Sequence, residues 1–139
     1  MRINKALLIG IPVIFIFAVL VVLFGPGPKS KPMIKVRMIA VKAKRSNPDD
    51  VARARQKIDE IYEALENGED FAELAREKSE ADSRLQGGDM GWRGKGTLPP
   101  THEDAVFHLE PGQHSEIIED VTLEDVVYRI LYVEERRGF

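Results

Sequence analysis

Apolar residues follow two different patterns along this chain. Residues 6–24 form an unbroken apolar run that contains no charged side chain. A helix of this length rises about 28 Å, which matches the roughly 30 Å hydrocarbon core of a bilayer. Because the run is apolar on all sides and has no amphipathic stripe, a buried helix of a globular domain is disfavoured. The pattern predicts a transmembrane anchor over residues 6–24.

The borders of this run define an N-terminal region over residues 1–32. A short tail with Arg2 and Lys5 precedes the run, and residues 25–32 form a linker of glycine, proline, lysine and serine that cannot continue a helix. A cleaved signal peptide is the alternative interpretation. The residues directly before Gly25 are bulky and offer no small-residue cleavage site. This feature favours an uncleaved anchor.

The pattern changes after the linker and predicts a strand followed by a helix. Apolar and other residues alternate over residues 33–42, as in a strand. Asn47 or Ser46 can cap the following helix, and Pro48 suits its first position. Helical spacing then connects five apolar residues, and residues 67–68, Asn-Gly, end the helix. These five are Val51, Ala54, Ile58, Ile61 and Leu65.

Shorter elements complete a domain over residues 33–139. Asp70 with Glu73 forms a capping pattern for a second helix, and residues 90–92 suit a short strand. Thr101 and Asp104 have the spacing of a cap for a third helix. Residues 115–119 and 126–134 are predicted as two closing strands. The order strand, helix, helix, strand, helix, strand, strand predicts an α+β fold, a small antiparallel sheet covered by helices.

Charge distinguishes the two regions. Four of the 20 basic residues and none of the 23 acidic residues lie within residues 1–32, so residues 33–139 carry a formal net charge of about −7. This balance disfavours a nucleic acid as partner, because binding to phosphates requires a basic surface. The chain has no cysteine and therefore no disulfide, which fits an oxidising or a reducing compartment.

Basic residues flank the apolar run on both sides. Arg2 and Lys5 favour a cytoplasmic N-terminus, whereas the lysines that follow the run, beginning at Lys29, oppose that orientation. A single N-terminal anchor most often exports the domain behind it. We therefore expect a single-pass protein of the inner (cytoplasmic) membrane with its C-terminal domain outside the cytoplasm.

A series of short motifs accompanies the predicted elements. Residues 67–75 read Asn-Gly-x-x-Phe-Ala-Glu-Leu-Ala, residues 87–92 read Gly-Gly-Asp-Met-Gly-Trp, and residues 103–109 read Glu-Asp-Ala-Val-Phe-x-Leu. Gly96-x-Leu98 and Pro111-Gly112 complete the series. In this order and spacing, over nearly all of residues 35–134, the chain resembles the parvulin, or PpiC-type, peptidyl-prolyl cis-trans isomerase domain. The resemblance implies a parvulin-like (FKBP-like) fold.

The resemblance also implies a site for a proline ring and its peptide bond. By position, an apolar cup is formed by Met90, Leu98 and Phe107, with His102 where the family usually has a phenylalanine. Neither a metal nor another cofactor is implied. The expected partner is an unfolded or proline-containing polypeptide, and the anchor adds the membrane as a second partner.

The polar positions of the family site are substituted in this chain. Histidines are expected at positions 38 and 129, and a cysteine or aspartate at position 81. Here these positions hold Met38, Arg129 and Ala81. Methionine offers no hydrogen-bond donor, and arginine cannot act as a neutral acceptor and needs a carboxylate or solvent if it is buried. We therefore expect weak or absent isomerase activity.

Other residues suggest chemistry but fit simpler interpretations better. The histidines at positions 102, 108 and 114 lack the spacing of a metal motif and are interpreted as helix-surface residues. Lys42, Lys44 and Arg45 could hold a phosphoryl group, although a solvated basic turn is favoured. Asp89 is expected to cap backbone amides of the glycine turn.

Two functions are compatible with the sequence. The first is a membrane-anchored peptidyl-prolyl cis-trans isomerase-like protein that assists the folding of extracytoplasmic proteins. The second is a parvulin-fold module that binds peptides, acts as a chaperone or joins a complex with little or no catalysis. An apolar cup that is open to solvent is compatible with both.

Overall fold

Strands and helices follow each other in the predicted order. In a computed structural model, the protein is described over residues 30–139. The elements are β1 (Met33–Lys44), α1 (Pro48–Glu66), α2 (Phe71–Lys78), a 3₁₀ helix (Asp82–Gln86), β2 (Asp89–Gly94), α3 (Pro100–Val106), β3 (Ile118–Val121) and β4 (Asp125–Arg137). The predicted anchor, residues 6–24, lies outside the described residues. Within residues 30–139, no helix has the length and apolar character needed to span a membrane.

The strands form one antiparallel sheet in the order β2-β1-β4-β3. β1 pairs with β4 over its whole length, from Met33 opposite Arg137 to Lys44 opposite Asp125, with a bulge after Lys35. The short β2 and β3 are the edges. The predicted α+β fold with a small antiparallel sheet is therefore confirmed.

Successive side chains of β1 point to opposite faces of the sheet, and each face carries an apolar cluster of its own. Ile39, Val41 and Ala43 pack in one apolar cluster with the buried residues of α1 and α2. Ile34 and Val36 belong to a second cluster on the opposite face, with Leu98 and Val106 around α3. The helical spacing predicted for α1 is confirmed by four fully or nearly fully buried side chains, Ala54, Ile58, Ile61 and Leu65.

Local hydrogen bonds set the starts of α1 and α2. Asn47 Oδ1 accepts from the backbone N–H groups of Asp49 and Asp50 at 3.1 and 3.2 Å, and Pro48 is the first residue of α1. Asp70 Oδ1 accepts from the Glu73 N–H at 2.9 Å. Each bond satisfies an N–H group that has no partner inside the helix, so these predicted N-caps are confirmed.

Two predicted boundaries are wrong. α3 begins at Pro100 after Pro99 and has no side-chain cap, so Thr101 does not cap it. The two prolines set the backbone where the chain changes from extended to helical, because the φ angle of a proline is compatible with both conformations. A side-chain cap is therefore not needed.

The second error concerns the strand predicted over residues 115–119, because the observed strand β3 is Ile118–Val121. The Ser115 N–H donates to Leu131 O at 2.7 Å, but Ser115 Oγ, and not its carbonyl, accepts from the Leu131 N–H at 3.0 Å. A side chain therefore replaces one rung of the ladder, and regular pairing begins three residues later.

The glycine block before β2 attaches its loop to β1. Gly87 and Gly88 have φ angles of +65° and +79°, which side chains other than glycine rarely adopt. Gly88 O accepts from the Met38 N–H at 2.9 Å, and a Cβ on Gly88 would lie 2.4 Å from Met38 O. Asp89 Oδ1 accepts from the Gly91 N–H at 2.7 Å, as predicted. The block thus brings β2 and its loop against the middle of β1.

Gly88→Ala tests this close approach. The substitution adds both a backbone penalty and a collision with β1, so we expect a loss of at least about 2 kcal/mol in the free energy of unfolding. Gly91→Ala is the matched control, since Gly91 has a φ of +73° but no atom within 4 Å of an added Cβ. The control should lose about 1 kcal/mol. Urea denaturation measures both, and equal losses would contradict the steric role of Gly88.

Candidate functional site

An open cleft of about 470 Å³ lies on the sheet face opposite α1. Its residues come from β1, from the loop after α2, from β2 and from β4. They are Met38, Ala40, Lys42, Ala81, Asp82, Ser83, Asp89, Met90, Arg93 and Arg129. The three substituted family positions, 38, 81 and 129, therefore meet in one cleft.

The floor of the cleft is small and apolar. Ala40 is 1% exposed and Ala81 is 6% exposed, and both pack with Val127 and against Met38. Ser79, which is buried, holds this arrangement in place. Its Oγ accepts from the N–H groups of Ala40 and Ala81 at 3.2 and 3.1 Å, so one hydroxyl fastens the loop to β1. The alanines leave space where longer side chains would fill the floor.

The predicted cup is divided between the cleft and the neighbouring apolar cluster. Met90 lines the cleft. Leu98 is buried and Phe107 half-buried in the cluster around Ile34 and Leu131, against which Met38 and Met90 also pack. The structure thus brings Met90, Leu98 and Phe107 together. Their role in holding a proline ring stays a prediction.

A single carboxylate connects the two remaining predicted residues. Arg129 Nη1 donates to Asp120 Oδ2, and the side chains of Arg129 and Asp120 are 23% and 30% exposed. The same oxygen lies 2.9 Å from Nε2 of His102, which is only 7% exposed. Asp120 is the carboxylate that Arg129 was expected to need. The interpretation of the histidines as helix-surface residues is wrong for His102, because α3 turns this side chain towards β3, and for His114, which lies in a bridge opposite Tyr132. His108 is exposed in the turn that follows α3.

Sequence reasoning did not identify Asp120 because the boundary of β3 was misplaced. With the strand predicted over residues 115–119, position 120 fell in the turn. In the observed register Ile118 lies opposite Arg129, and Asp120 lies two residues further along the same face of β3. Such diagonal neighbours on adjacent strands are within reach of long side chains. The misplaced boundary therefore hid Asp120 as a candidate partner of Arg129.

The protonation of this group follows from its surroundings. Burial lowers the pKa of His102 below its usual value near 6.5, and the Arg129 cation lowers that pKa further. His102 is therefore neutral at pH 7. Since Asp120 beside a guanidinium is a carboxylate, which only accepts, Nε2 of His102 carries the hydrogen and donates it. Arg129, Asp120 and His102 together have no net charge, which reduces the cost of placing them beside an apolar floor.

The rim of the cleft is polar and carries charges of both signs. Lys42 and Arg93 contribute cations, and Asp82 and Asp89 contribute carboxylates. The motifs do not single out Asp82, Ser83 or Arg93 as site residues, because these residues lie on the 3₁₀ helix and on the edge strand β2, whose positions only the folded chain defines.

The basic turn after β1 does not converge on one point. Lys44 Nζ pairs with Asp125 at 2.8 Å, and Arg45 Nη1 donates to Thr122 O at 3.2 Å, both on the β3–β4 hairpin. Lys42 instead lines the cleft. The three side chains are exposed, and two of them contact the hairpin. This geometry favours the solvated basic turn over a phosphate site.

Comparison with known proteins defines the class of this chain. A family model described as the PPIC-type PPIase domain, or rotamase, matches residues 38–135. The match covers well over half of the sequence, so the chain belongs to the PpiC-type peptidyl-prolyl isomerase, or parvulin, domain family. The resemblance predicted from the motifs is thereby confirmed.

Individual relatives agree with this assignment. Chaperone SurA of Pseudomonas putida is 34% identical over 93 residues, which are 67% of this chain and 21% of the relative. Chaperone SurA of Methylobacillus flagellatus is 31% identical over 105 residues, 75% of this chain and 23% of the relative. The chain thus spans about a fifth of the length of the curated relatives that it matches.

Solved structures show the same fold. The crystal structure of a PpiC-type peptidyl-prolyl cis-trans isomerase domain superposes with a TM-score of 0.61 at 28% identity and covers 80% of this chain and 96% of that domain. The parvulin domain of PpiD from E. coli gives a TM-score of 0.57 at 28% identity, covering 78% and 93%. These likenesses include the four-stranded sheet and the three helices.

Asp120→Asn tests the partnership with Arg129. Removing the carboxylate leaves a partly buried cation without its counter-charge, and we expect the free energy of unfolding to fall by about 1 to 3 kcal/mol, between the values for exposed and buried pairs. Glu119→Gln is the matched control, because it removes the same charge from the adjacent, exposed position of β3. Urea denaturation of both variants decides the point. Equal effects would contradict a specific pairing.

The pH dependence of stability tests the state of His102. Its pKa is lower in the folded chain than in the unfolded chain, so the unfolded chain binds more protons below a pH of about 6.5. The contribution of His102 is therefore complete above that pH and decreases as the pH falls.

We expect His102→Gln, which keeps a donor but does not titrate, to lessen the decline in stability as the pH falls below about 6.5. Thermal unfolding of both proteins above and below this pH provides the measurement, and parallel profiles would show that His102 is not the group responsible.

Proposed function

We propose that this chain assists the folding of extracytoplasmic proteins from the membrane, by binding proline-containing segments of unfolded polypeptides in the cleft between Met38 and Arg129. Membership of the PpiC-type family supports the class of ligand. The relatives from Pseudomonas putida and Methylobacillus flagellatus are both named chaperones, which supports assistance in folding. The observation that carries the proposal is an open cleft whose floor is apolar and whose rim is polar.

The proposed location rests on the sequence of the N-terminal region. The run over residues 6–24 has the length and composition of a single membrane span, and the linker over residues 25–32 separates it from β1. An anchor of this kind holds the domain at the membrane, close to chains that emerge from it. We place the domain outside the cytoplasm, because a single N-terminal anchor most often exports the domain that follows it.

The chemistry that a PpiC-type site supports is a rotation and not a bond cleavage. The X–Pro bond rotates slowly because the barrier is about 20 kcal/mol. A catalyst must bind the twisted amide more strongly than either planar form, by holding the ring in an apolar pocket and withdrawing water from the amide. The site therefore needs apolar surface for the ring and a few fixed polar groups.

Each part of the cleft has a role in this proposal. Met38, Met90 and the two alanines of the floor offer apolar surface for a proline ring. The guanidinium of Arg129 has five N–H donors, and one on Nη1 donates to Asp120. Its other donors can bind a carbonyl oxygen of the peptide next to the ring. Since Asp120 restricts the guanidinium, less side-chain entropy is lost when the peptide binds.

A second candidate function, a peptide-binding module with little catalysis, is favoured by a specific observation. Met38 and Ala81 supply no side-chain hydrogen-bond donor, and Arg129 is paired with a carboxylate. The cleft therefore holds a cationic donor where the family resemblance implies a histidine network. Binding requires the apolar floor, whereas selective stabilisation of the twisted amide also requires the polar groups. We propose that binding is retained and that catalysis is weak or absent.

Nuclear magnetic resonance on one sample tests both parts. The isotope-labelled full chain in lipid nanodiscs is titrated with a short peptide that contains one X–Pro bond. We expect chemical-shift changes at Met38, Met90 and Arg129, while exchange between the cis and trans peptide signals stays close to the uncatalysed rate. Absence of shifts would refute the binding site, and rapid exchange, as with an unsubstituted family domain, would refute the loss of catalysis.

A restoring variant provides the matched control. Met38→His combined with Arg129→His returns two family residues to the floor, and we expect the exchange rate to rise by about tenfold or more, equivalent to about 1.4 kcal/mol of transition-state stabilisation. Ala52→His, at an exposed position of α1, adds a histidine away from the cleft and should change nothing. If the restored chain binds the peptide but gains no activity, the substituted positions do not explain the weak catalysis.

A further inference from the structure

Three strands meet at the end of the sheet where β1 begins. Met33 lies opposite Gly94 of β2 and opposite Arg137 of β4, so the last residues of β2 and β4 flank the first residue of β1. We call this region the proximal end, because β1 follows the linker directly. Its cations are Lys31, Lys35, Arg93, Lys95, Arg136 and Arg137.

Charge at the proximal end is opposite in sign to that of the domain. Six cations are accompanied by four carboxylates, Glu103, Glu110, Glu134 and Glu135, of which Glu134 pairs with Lys35 and Glu110 pairs with Arg136. The domain as a whole, residues 33–139, carries a formal net charge of about −7. A local positive surface on an acidic domain is suited to an anionic partner, and its attraction extends about 8 to 10 Å at physiological salt.

Aromatic and sulfur-containing side chains accompany the cations. The guanidinium carbon of Arg137 lies 4.1 Å from the centroid of the Trp92 ring, and Arg137 Nη2 lies 3.5 Å from Met33 Sδ. Lys95 Nζ lies 5.9 Å from the centroid of the Phe107 ring. Tryptophan beside arginine is the combination found where a protein surface meets lipid headgroups, because the ring is apolar and its N–H is polar.

A short linker joins the predicted anchor to the proximal end. Its eight residues, 25–32, span at most about 28 Å when fully extended and are followed directly by Met33. Strand β1 rises about 30 Å from Met33 to Lys42. The cleft is lined by Met38, Ala40 and Lys42 further along β1, and Arg93, opposite Ile34, is the lining residue that lies towards the proximal end.

We propose that the proximal end binds the headgroups of anionic lipids in the membrane that holds the chain. This inference rests on the anchor in the proposed function. Arg137 and Lys95 bind lipid phosphates, and Trp92 enters the interface beside them.

Trp92 is the only tryptophan, so its fluorescence reports on this surface alone. The full chain is reconstituted into vesicles of phosphatidylcholine, with or without phosphatidylglycerol, whose acyl chains carry bromine close to the headgroup. Bromine quenches tryptophan only near contact. We expect at least twofold stronger quenching in the vesicles with phosphatidylglycerol, and a loss of this difference at high salt.

Charge reversal tests which end of the sheet is responsible. Lys95→Glu combined with Arg137→Glu should abolish the extra quenching. Quenching is measured as the ratio of Trp92 fluorescence between brominated and unbrominated vesicles. In this ratio the direct effect of Arg137 on Trp92 fluorescence cancels. Lys44→Glu combined with Arg45→Glu is the matched control, because it makes the same charge change at the opposite end of β1. The control should retain the extra quenching.

The outcomes separate this inference from the proposed function. If the chain floats with the vesicles but Trp92 is unquenched, or is quenched equally in both lipids, the lipid-binding surface is refuted and the anchor stands. Loss of quenching in the Lys44 and Arg45 control would also refute it. If the chain does not float with the vesicles, the anchor fails and this inference fails with it.

Discussion

The pairing of β1 with β4 is the interaction on which the rest of this domain depends. It extends from Met33 opposite Arg137 to Lys44 opposite Asp125. One face of β1 carries Ile39 and Val41 against the helices α1 and α2, and the other carries the floor of the cleft. Because successive side chains of a strand point in opposite directions, a shift of one residue would exchange core and cleft completely.

The cleft exists because two segments of the chain are attached to β1 by hydrogen bonds. Gly88 O accepts from Met38 N–H, and Ser79 Oγ accepts from the N–H groups of Ala40 and Ala81. Neither attachment uses a long side chain, which leaves room above the alanines. A floor of this kind can accept an apolar ring. The family assignment suggests that this ring is a proline.

The substituted polar positions do not leave an uncompensated charge in the cleft. Asp120 balances Arg129 and accepts a hydrogen bond from neutral His102, so the three side chains form a group of their own. A buried guanidinium without this carboxylate would be costly. The arrangement compensates the charge of Arg129, but it removes the neutral acceptors that the family resemblance implies. For this reason the function proposed for the chain keeps peptide binding and gives up most of the catalysis.

Much of the fold could be predicted from the sequence because its signals are local. Asn47 and Asp70 cap the helices that follow them, alternation defines β1, and the glycine motif identifies the family. The tertiary structure alone decided where β3 begins, since the Ser115 side chain replaces a backbone partner of Leu131. It also decided that Asp120 meets Arg129 and His102, because that contact joins three elements. Local hydrogen bonds and periodicity are determined by neighbours in sequence, whereas register and charge pairing across a sheet are determined by residues brought together only in the folded chain.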